Sequence, residues 1–502
     1  MEQEYGKRNR IGLLLGPLLF VALLLLPVPP GMKPEAWSVV AVAVLMATWW
    51  MTEAIPIPAT SLLPIALFPT LGIMKSAQAT APYANHLIYL FFGGFFIALT
   101  MEKWNLHKRI ALQVIRIVGV GPNRIILGFM IATAFLSAWI SNTATAMMMV
   151  PIALAVIKQA GETICAEKDH CDPRPTKFMF GVALMLGIAY AASIGGVATI
   201  IGTPPNTIMV GIVEKTFGVQ ISFAAWMAVG MPLSLLMLFS VWFYLVKIAF
   251  KIEIDELPGG KELIKKQLAD LGPTSREEKM ILGVFFFVAS AWTARGFISI
   301  PALSMVHDAT IAMIGAVMLF VIPSDLKKGE FLLDWNTAKK LPWDVIILFG
   351  GGLSLANGFK VTALTVWIGE QLSGLQGAPL LLIIFVVVFL TIFLTEVTSN
   401  TATSTMLIPV MASTAVAMAV HPYGLIVGAG IAASYAFMLP IATPPNAVVY
   451  GSKFVSMPQM AKAGFAINIF ASIVITLFVY YALPLIWQID LHQLPDWAKI
   501  LS

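Results

Sequence analysis

Ser141-Asn142-Thr143-Ala144-Thr145 sits in the middle of an apolar stretch, 125–157, and the same five residues return as Ser399-Asn400-Thr401-Ala402-Thr403 inside a second apolar stretch, 377–420. The pair has companions. Phe92-Gly93-Gly94 recurs as Phe349-Gly350-Gly351 at an offset of 257, the pentapeptide recurs at 258, and Thr203-Pro204-Pro205-Asn206 recurs as Thr443-Pro444-Pro445-Asn446 at 240. Three motifs repeated in the same order mark an internal duplication. The last offset is the shortest because the first copy carries a charged insertion around 158–177, where the second has only a short turn near His421.

The 502 residues around these motifs are 59% hydrophobic and only 11% charged, with a mean hydropathy of +0.86. Soluble domains are about 25% charged, so the chain reads as a polytopic membrane protein, and its apolar content excludes disorder. A net charge of +5 and a pI near 9.0 do not indicate nucleic-acid binding here, because Lys and Arg in a membrane protein report orientation first. Apolar runs give eleven crossings, near 11–30, 36–55, 56–73, 87–102, 178–213, 221–248, 280–298, 307–323, 344–359, 423–450 and 463–488. Lys7, Arg8 and Arg10 ahead of the first run resemble a signal peptide, but the run is too long and lacks a cleavage site, so it is read as a retained span.

The stretches 125–157 and 377–420, with polar tips, are read as re-entrant hairpins. With the N-terminus inside, 25 of the 31 Lys and Arg fall in cytoplasmic pieces, leaving Lys33, Lys75, Lys215, Arg295, Lys360 and Lys499 outside. Making either stretch an ordinary crossing would invert everything after it and destroy this asymmetry. Five crossings separate the hairpins, so the first enters from the cytoplasm and the second from outside. Inverted repeats with interrupted helices are the pattern of secondary transporters. The C-terminus then lies outside.

Hairpin arms of about 14 to 16 residues span roughly 21 to 24 Å, which carries each tip deep into the bilayer. Ser and Asn there cap the returning helix, whose positive end suits a carboxylate. Thr-Pro-Pro-Asn breaks the fifth and tenth spans and frees carbonyls, which with hydroxyl and amide oxygens suit a small hard cation. A single Ser-Asn-Thr would be read as membrane-helix packing; the paired copies in opposed hairpins point to function. Ser137 and Thr395 add a hydroxyl one turn before each motif. Neither tip carries Lys or Arg, so a multiply charged anion would face a large desolvation cost there unless cations bind with it.

Other residues receive plainer readings. Glu396 stands where the first copy has Ala138; as an intramembrane acid it is a proton carrier, a modifier of a cation site or a hydrogen-bonded structural group. Glu53 marks a span end. His86 and His107 are loop or interface residues, the 26 methionines are packing, and Cys165, His170 and Cys171 lack a zinc spacing and read as solvated loop residues. Residues 106–119 form an amphipathic interfacial helix, with a counterpart at 361–374. No nucleophile and base pair lies at depth, which speaks against an intramembrane enzyme.

These motifs, together with Trp49-Trp50-Met51-Thr52-Glu53-Ala54-Ile55-Pro56-Ile57-Pro58, make the whole chain resemble the divalent anion/sodium symporter family, above all its bacterial sodium/dicarboxylate branch. The resemblance implies a homodimer in the plasma (inner) membrane working as an elevator. Its scaffold would be 1–86 and 280–359, its transport parts 87–250 and 360–502, and its cytoplasmic linker 251–279. It also implies one sodium site at Ser137, Ser141, Asn142 and the Gly202 backbone, and a second at Thr395, Ser399, Asn400 and the Ala442 backbone. The substrate carboxylates would lie between Asn142-Thr143 and Asn400-Thr401, beside Thr203 and Thr443. The implied activity is sodium-coupled import of C4 dicarboxylates such as succinate, malate and fumarate. The alternatives are a sodium-independent exchanger, a citrate or sulfate carrier and, from another class, an anion channel.

Overall fold

The computed structural model describes residues 6–119, 121–164, 175–250, 252, 260–297, 305–371 and 377–501, and is overwhelmingly helical. Helices α1 (Lys7–Leu25) and α2 (Pro34–Thr52) lie back to back. Glycines permit this approach, since a Cβ on Gly16 would sit 2.5 Å from Trp49 Nε1. The outer face of α1 is bare, with Leu14 74% and Leu25 81% exposed, as lipid contact requires. The stretch 56–73 is not one continuous span. Prolines in the first turn of each piece divide it into α3 (Ile57–Thr60) and α4 (Leu63–Thr70).

After α5 (Ser76–Thr80) come α6 (His86–Lys103) and the amphipathic α7 (Leu106–Val118). A helical hairpin follows, α8 (Pro122–Ser137) and α9 (Asn142–Ile164), then a broken pair, α10 (Met179–Gly196) and α11 (Pro204–Phe217), and α12 (Phe223–Phe243). A short α13 (Gly260–Asp270) leads into the second half: α14 (Arg276–Phe297), α15 (Asp308–Val321), α16 (Trp335–Ala338), α17 (Trp343–Val361) and α18 (Leu364–Gln371). The second hairpin is α19 (Leu380–Thr395) and α20 (Asn400–Ala417), followed by the broken pair α21 (Pro422–Ala432) and α22 (Pro444–Gly451), α23 (Met457–Leu477) and α24 (Leu483–Trp487). An antiparallel ribbon, β1 (Pro323–Asp325) with β2 (Glu330–Phe331), qualifies the all-α expectation. By length and composition, eight of the described helical stretches can cross a membrane.

The repeated Phe-Gly-Gly motif marks close helix crossings. A Cβ on Gly93 would lie 2.5 Å from the Ala312 backbone of α15, and one on Gly351 would lie 2.4 Å from the Ser61 carbonyl; small residues let membrane helices approach to this degree. Gly195 does the same for α10 against α8, where a Cβ would meet the Ala134 carbonyl at 2.2 Å. Every residue of α10 after Met179, from Phe180 to Gly196, is buried, so this helix runs through the core.

The two amphipathic helices are anchored by different chemistry. On α7, Arg109 is buried; its Nε donates to Glu278 at 2.7 Å, and its other nitrogens reach the Gly272, Leu271 and Pro273 carbonyls at 3.0, 3.2 and 3.3 Å. On α18, the Trp367 indole donates to the Pro30 carbonyl at 3.1 Å. Cys165, His170 and Cys171 lie outside the described residues.

Candidate functional site

Ser141, Thr203, Ser399 and Thr443 immediately precede α9, α11, α20 and α22, and all four line one cavity of about 450 Å³. Four helix N-termini, with their positive dipole ends, therefore converge on one space. Asn142, Thr143, Gly202, Asn400, Thr401 and Ala442 line it as well. Ser137 and Thr395 stand just behind the tips, fully buried.

Each tip is built by local bonds. In the first, Ser141 Oγ accepts from Ala144 N at 3.2 Å and caps α9. Thr199 Oγ1 donates to the Ala138 carbonyl and accepts from Gly202 N, which pins the broken helix to the hairpin turn. In the second, Thr398 Oγ1 donates to Leu394 O at 2.9 Å and pairs with Thr403 Oγ1. Prolines at the first helical positions of α11 and α22 sit where amide donors have no partner in any case.

The motif asparagines do something sequence reasoning did not anticipate. Asn206 Nδ2 reaches back to Thr199 O at 2.7 Å and to Gly196 O at 3.2 Å, and Asn446 Nδ2 reaches Ala436 O and Leu439 O, both at 3.1 Å. Several carbonyls freed by the break are thus tied down, leaving fewer for a ligand than the prolines alone imply.

Behind the tips the two copies are chemically parallel. Ser137 Oγ donates to Ala192 O at 2.7 Å and lies 2.5 Å from the Asn142 amide. That amide faces Ser137 Oγ, Gly202 O and Ala192 O, the carbonyls each at 3.2 Å; with its nitrogen inward it donates to them, and with its oxygen inward it joins an all-oxygen cluster open to a cation. Thr395 Oγ1 likewise contacts Ala433 O at 3.1 Å and Asn400 Oδ1 at 2.7 Å. Each copy therefore gathers uncharged oxygens around one asparagine, a donor set that fits a hard monovalent cation.

The largest chemical difference between the copies is at Glu396, where the first has Ala138. The Glu396 carboxylate accepts from Phe437 N at 2.6 Å, Met438 N at 2.9 Å, Asn468 Nδ2 at 2.7 Å and Leu439 N at 3.1 Å. All four partners are donors, and their bonds favour the ionised form of the carboxylate. It clasps the unwound segment between α21 and α22; the first copy, with Ala138, has no carboxylate there and holds its segment through Thr199 and the Trp226 indole, which donates to Val197 O at 3.0 Å.

Among the described residues, the cavity lining contains no Lys or Arg but includes Glu53 and Asp344. Glu53 is the left-handed C-cap of α2, as expected of a span end, and pairs with Arg8 at 3.1 Å. Its place at the cavity had no signal in the sequence. His107 Nδ1 sits 3.0 Å from Met101 O, and His86 pairs with Glu214 at 3.4 Å. Both stand in the first turn of a helix, α6 and α7, and neither lines the cavity.

Apolar helices, two of them broken, enclosing a polar cavity between two hairpin tips define a membrane transporter. A sequence family described as the sodium:sulfate symporter transmembrane region matches residues 7–488, and the chain belongs to this divalent anion/sodium symporter family. The sodium-dependent dicarboxylate transporter SdcS of Staphylococcus saprophyticus is 47% identical over 495 residues, covering 98% of this chain and 94% of that protein. Its namesake in Staphylococcus aureus strain USA300 is 46% identical with the same coverage. Among solved structures, the Alcanivorax borkumensis YdaH transporter superposes with a TM-score of 0.56 at 11% identity, over 90% of this chain and 99% of that one. Neisseria gonorrhoeae MtrF gives 0.56 at 9% identity, over 95% and 96%. At such identities the likeness is one of fold.

Proposed function

We propose that the protein is a sodium-coupled symporter that imports C4 dicarboxylates such as succinate, malate and fumarate across the plasma membrane. The observation that carries this reading is the cavity itself: four helix N-termini face a space that, among the described residues, has no cationic side chain, flanked by two oxygen nests. A dianion there gains from the helix dipoles but not enough to offset its desolvation; cations in the nests behind the tips supply the missing charge. Asn142 and Asn400 would each face a cation on one side and a substrate carboxylate on the other, with Thr143, Thr401, Thr203 and Thr443 completing the carboxylate contacts. Ser137, Ser141 and the Gly202 backbone would complete one sodium site, and Thr395, Ser399 and the Ala442 backbone the other. The SdcS relatives, named as sodium-dependent dicarboxylate transporters, support the choice of ion and substrate class.

The same reading takes α8–α9 and α19–α20 as re-entrant hairpins among eleven crossings, with inverted repeats, the N-terminus in the cytoplasm and the C-terminus outside. Transport would proceed as an elevator within a homodimer. The scaffold would comprise the spans before residue 87 and those of 280–359. We add α6 to it, because α6 is the duplicate of α17 and packs closely on α15 through Gly93. The cavity mouth at Glu53, Pro342 and Asp344 would then face the cytoplasm.

Succinate uptake into proteoliposomes, with an inward sodium gradient or with choline in its place, tests the function. Uptake that requires sodium is expected; equal uptake in choline overturns symport. Stimulation by internal dicarboxylate without sodium would mark an exchanger, and competition by sulfate or citrate alone would mark a different substrate class.

A further inference from the structure

We infer that the extracytoplasmic ends of α11 and α12 are held by a polar latch, with Lys360 at its centre, that keeps the cavity closed to the outside in the conformation described. The inference rests on the alternating-access reading above.

Helix α11 begins at the cavity, where Thr203 is its N-cap, and its 14 residues carry it roughly 21 Å away. At that far end Lys360 Nζ, from the last turn of α17, donates to the carbonyls of Lys215 and Thr216, both at 3.0 Å. These carbonyls belong to the last turn of a helix, where acceptors lack partners and the dipole is negative, so an ammonium group is their natural complement. Beside them Glu214 lies 3.4 Å from His86 Nε2, at the first residue of α6, and is steadied by Gln220 Nε2 at 2.7 Å. The start of α12 is held in the same manner: Asp308 of α15 accepts from Phe223 N at 2.9 Å and is itself fixed by Arg295 at 2.9 Å.

In all three contacts one partner lies on α6, α15 or α17 and the other on α11, α12 or the turn between them. All three lie at the ends remote from the Glu53 and Asp344 mouth. Moving the hairpins and broken helices as a body relative to the scaffold must break them together, because α11 joins the cavity and the latch as one rod. Charge-assisted bonds of this kind are the stronger class, so the latch biases the resting carrier toward the inward-facing form. The apparent affinity for external substrate scales with the fraction of carriers facing outward. Lys360 thus sets that affinity without touching substrate.

The test places a single cysteine at Val397, which lines the cavity, in the full-length protein with Cys165 and Cys171 replaced by serine, reconstituted in right-side-out vesicles. A membrane-impermeant maleimide is added outside, and succinate uptake is recorded on the same preparations. Lys360→Met should raise the external labelling rate by about tenfold, the equilibrium shift expected for losing charged hydrogen bonds near the surface, and should lower the external KM. Glu214→Gln should act in the same direction and more weakly, and Lys360→Arg should retain the parent rate. Unchanged labelling in Lys360→Met and in the combined Lys360→Met/Glu214→Gln variant, with sodium-driven uptake intact, overturns the latch and leaves the transport reading standing. Absence of sodium-driven uptake in the wild-type protein overturns the transport reading, and the latch with it.

Discussion

Replacing Glu396 by glutamine changes one oxygen to an amino group in the most densely bonded side chain of the second repeat. Oε1 accepts three of the four bonds, from Phe437 N, Met438 N and Asn468 Nδ2, and Oε2 accepts the fourth, from Leu439 N. A glutamine oxygen in the Oε1 position keeps three donors but loses its charge, and the new amino group faces Leu439 N–H, so that bond is lost. Hydrogen bonds to charged groups contribute about 1.5–3 kcal/mol each and neutral ones about half as much. One such bond lost and three halved come to about 4–7 kcal/mol gross, and the net is smaller, roughly 2–4 kcal/mol, because a buried charge no longer needs desolvation compensation. The cost falls on the segment between α21 and α22, which ends at Ala442 and Thr443 on the cavity wall. The half-saturating sodium concentration for succinate uptake should consequently rise at least tenfold, while the KM for succinate at saturating sodium changes less. The assay is sodium-titrated uptake in proteoliposomes, alongside thermal unfolding in detergent with and without sodium. An unchanged sodium dependence in a normally folded Glu396→Gln protein would refute the claim that this carboxylate shapes the second cation site.

Other consequences follow from single contacts. Asn142→Ala and Asn400→Ala should each reduce uptake to background while leaving the melting temperature in choline within a few degrees of wild type, since each asparagine borders an open cavity on one side. Arg109→Met should destabilise the protein by about 3–5 kcal/mol by leaving Glu278 buried without its partner; denaturation of the Arg109→Met/Glu278→Met double variant should show a smaller loss than the sum of the singles. Burial holds the His421 imidazole down at about 4, against an ordinary value of 6.5, and the neutral ring accepts from Tyr423 N at 3.2 Å to cap α21. Its contribution is fully present above pH 6.5 and is lost as pH falls toward 4, so melting temperature should drop across that window, and His421→Asn should flatten the drop.

Much of this arrangement was written in the repeated motifs. Ser141 and Ser399 mark where α9 and α20 begin, and the Thr-Pro-Pro-Asn copies mark where α11 and α22 begin, because prolines and capping residues act within a turn of their own position. That all four beginnings open on one cavity depends on how the hairpins pack against the broken helices, which no local pattern encodes. The part of Asn206 and Asn446 in tying down carbonyls was hidden for a similar reason: their partners lie seven and ten residues back, across a break whose path the sequence does not state. The division of 56–73 into α3 and α4 was legible in Pro56, Pro58 and Pro64, but hydropathy smoothed over it. Lys360 was read only as a charge on the outer side; its bonds to α11 arise from a packing between helices whose residues are some 145 positions apart.

The central claim is that neutral hairpin tips bind a dianion only when cations occupy the nests behind them. Calorimetric titration of succinate into the purified protein, in sodium and in choline at equal ionic strength, tests it most directly. Saturable binding in sodium, no measurable binding in choline, and an equal reciprocal gain in sodium affinity when succinate is present are the results predicted. Succinate binding of equal strength in both salts would contradict the account.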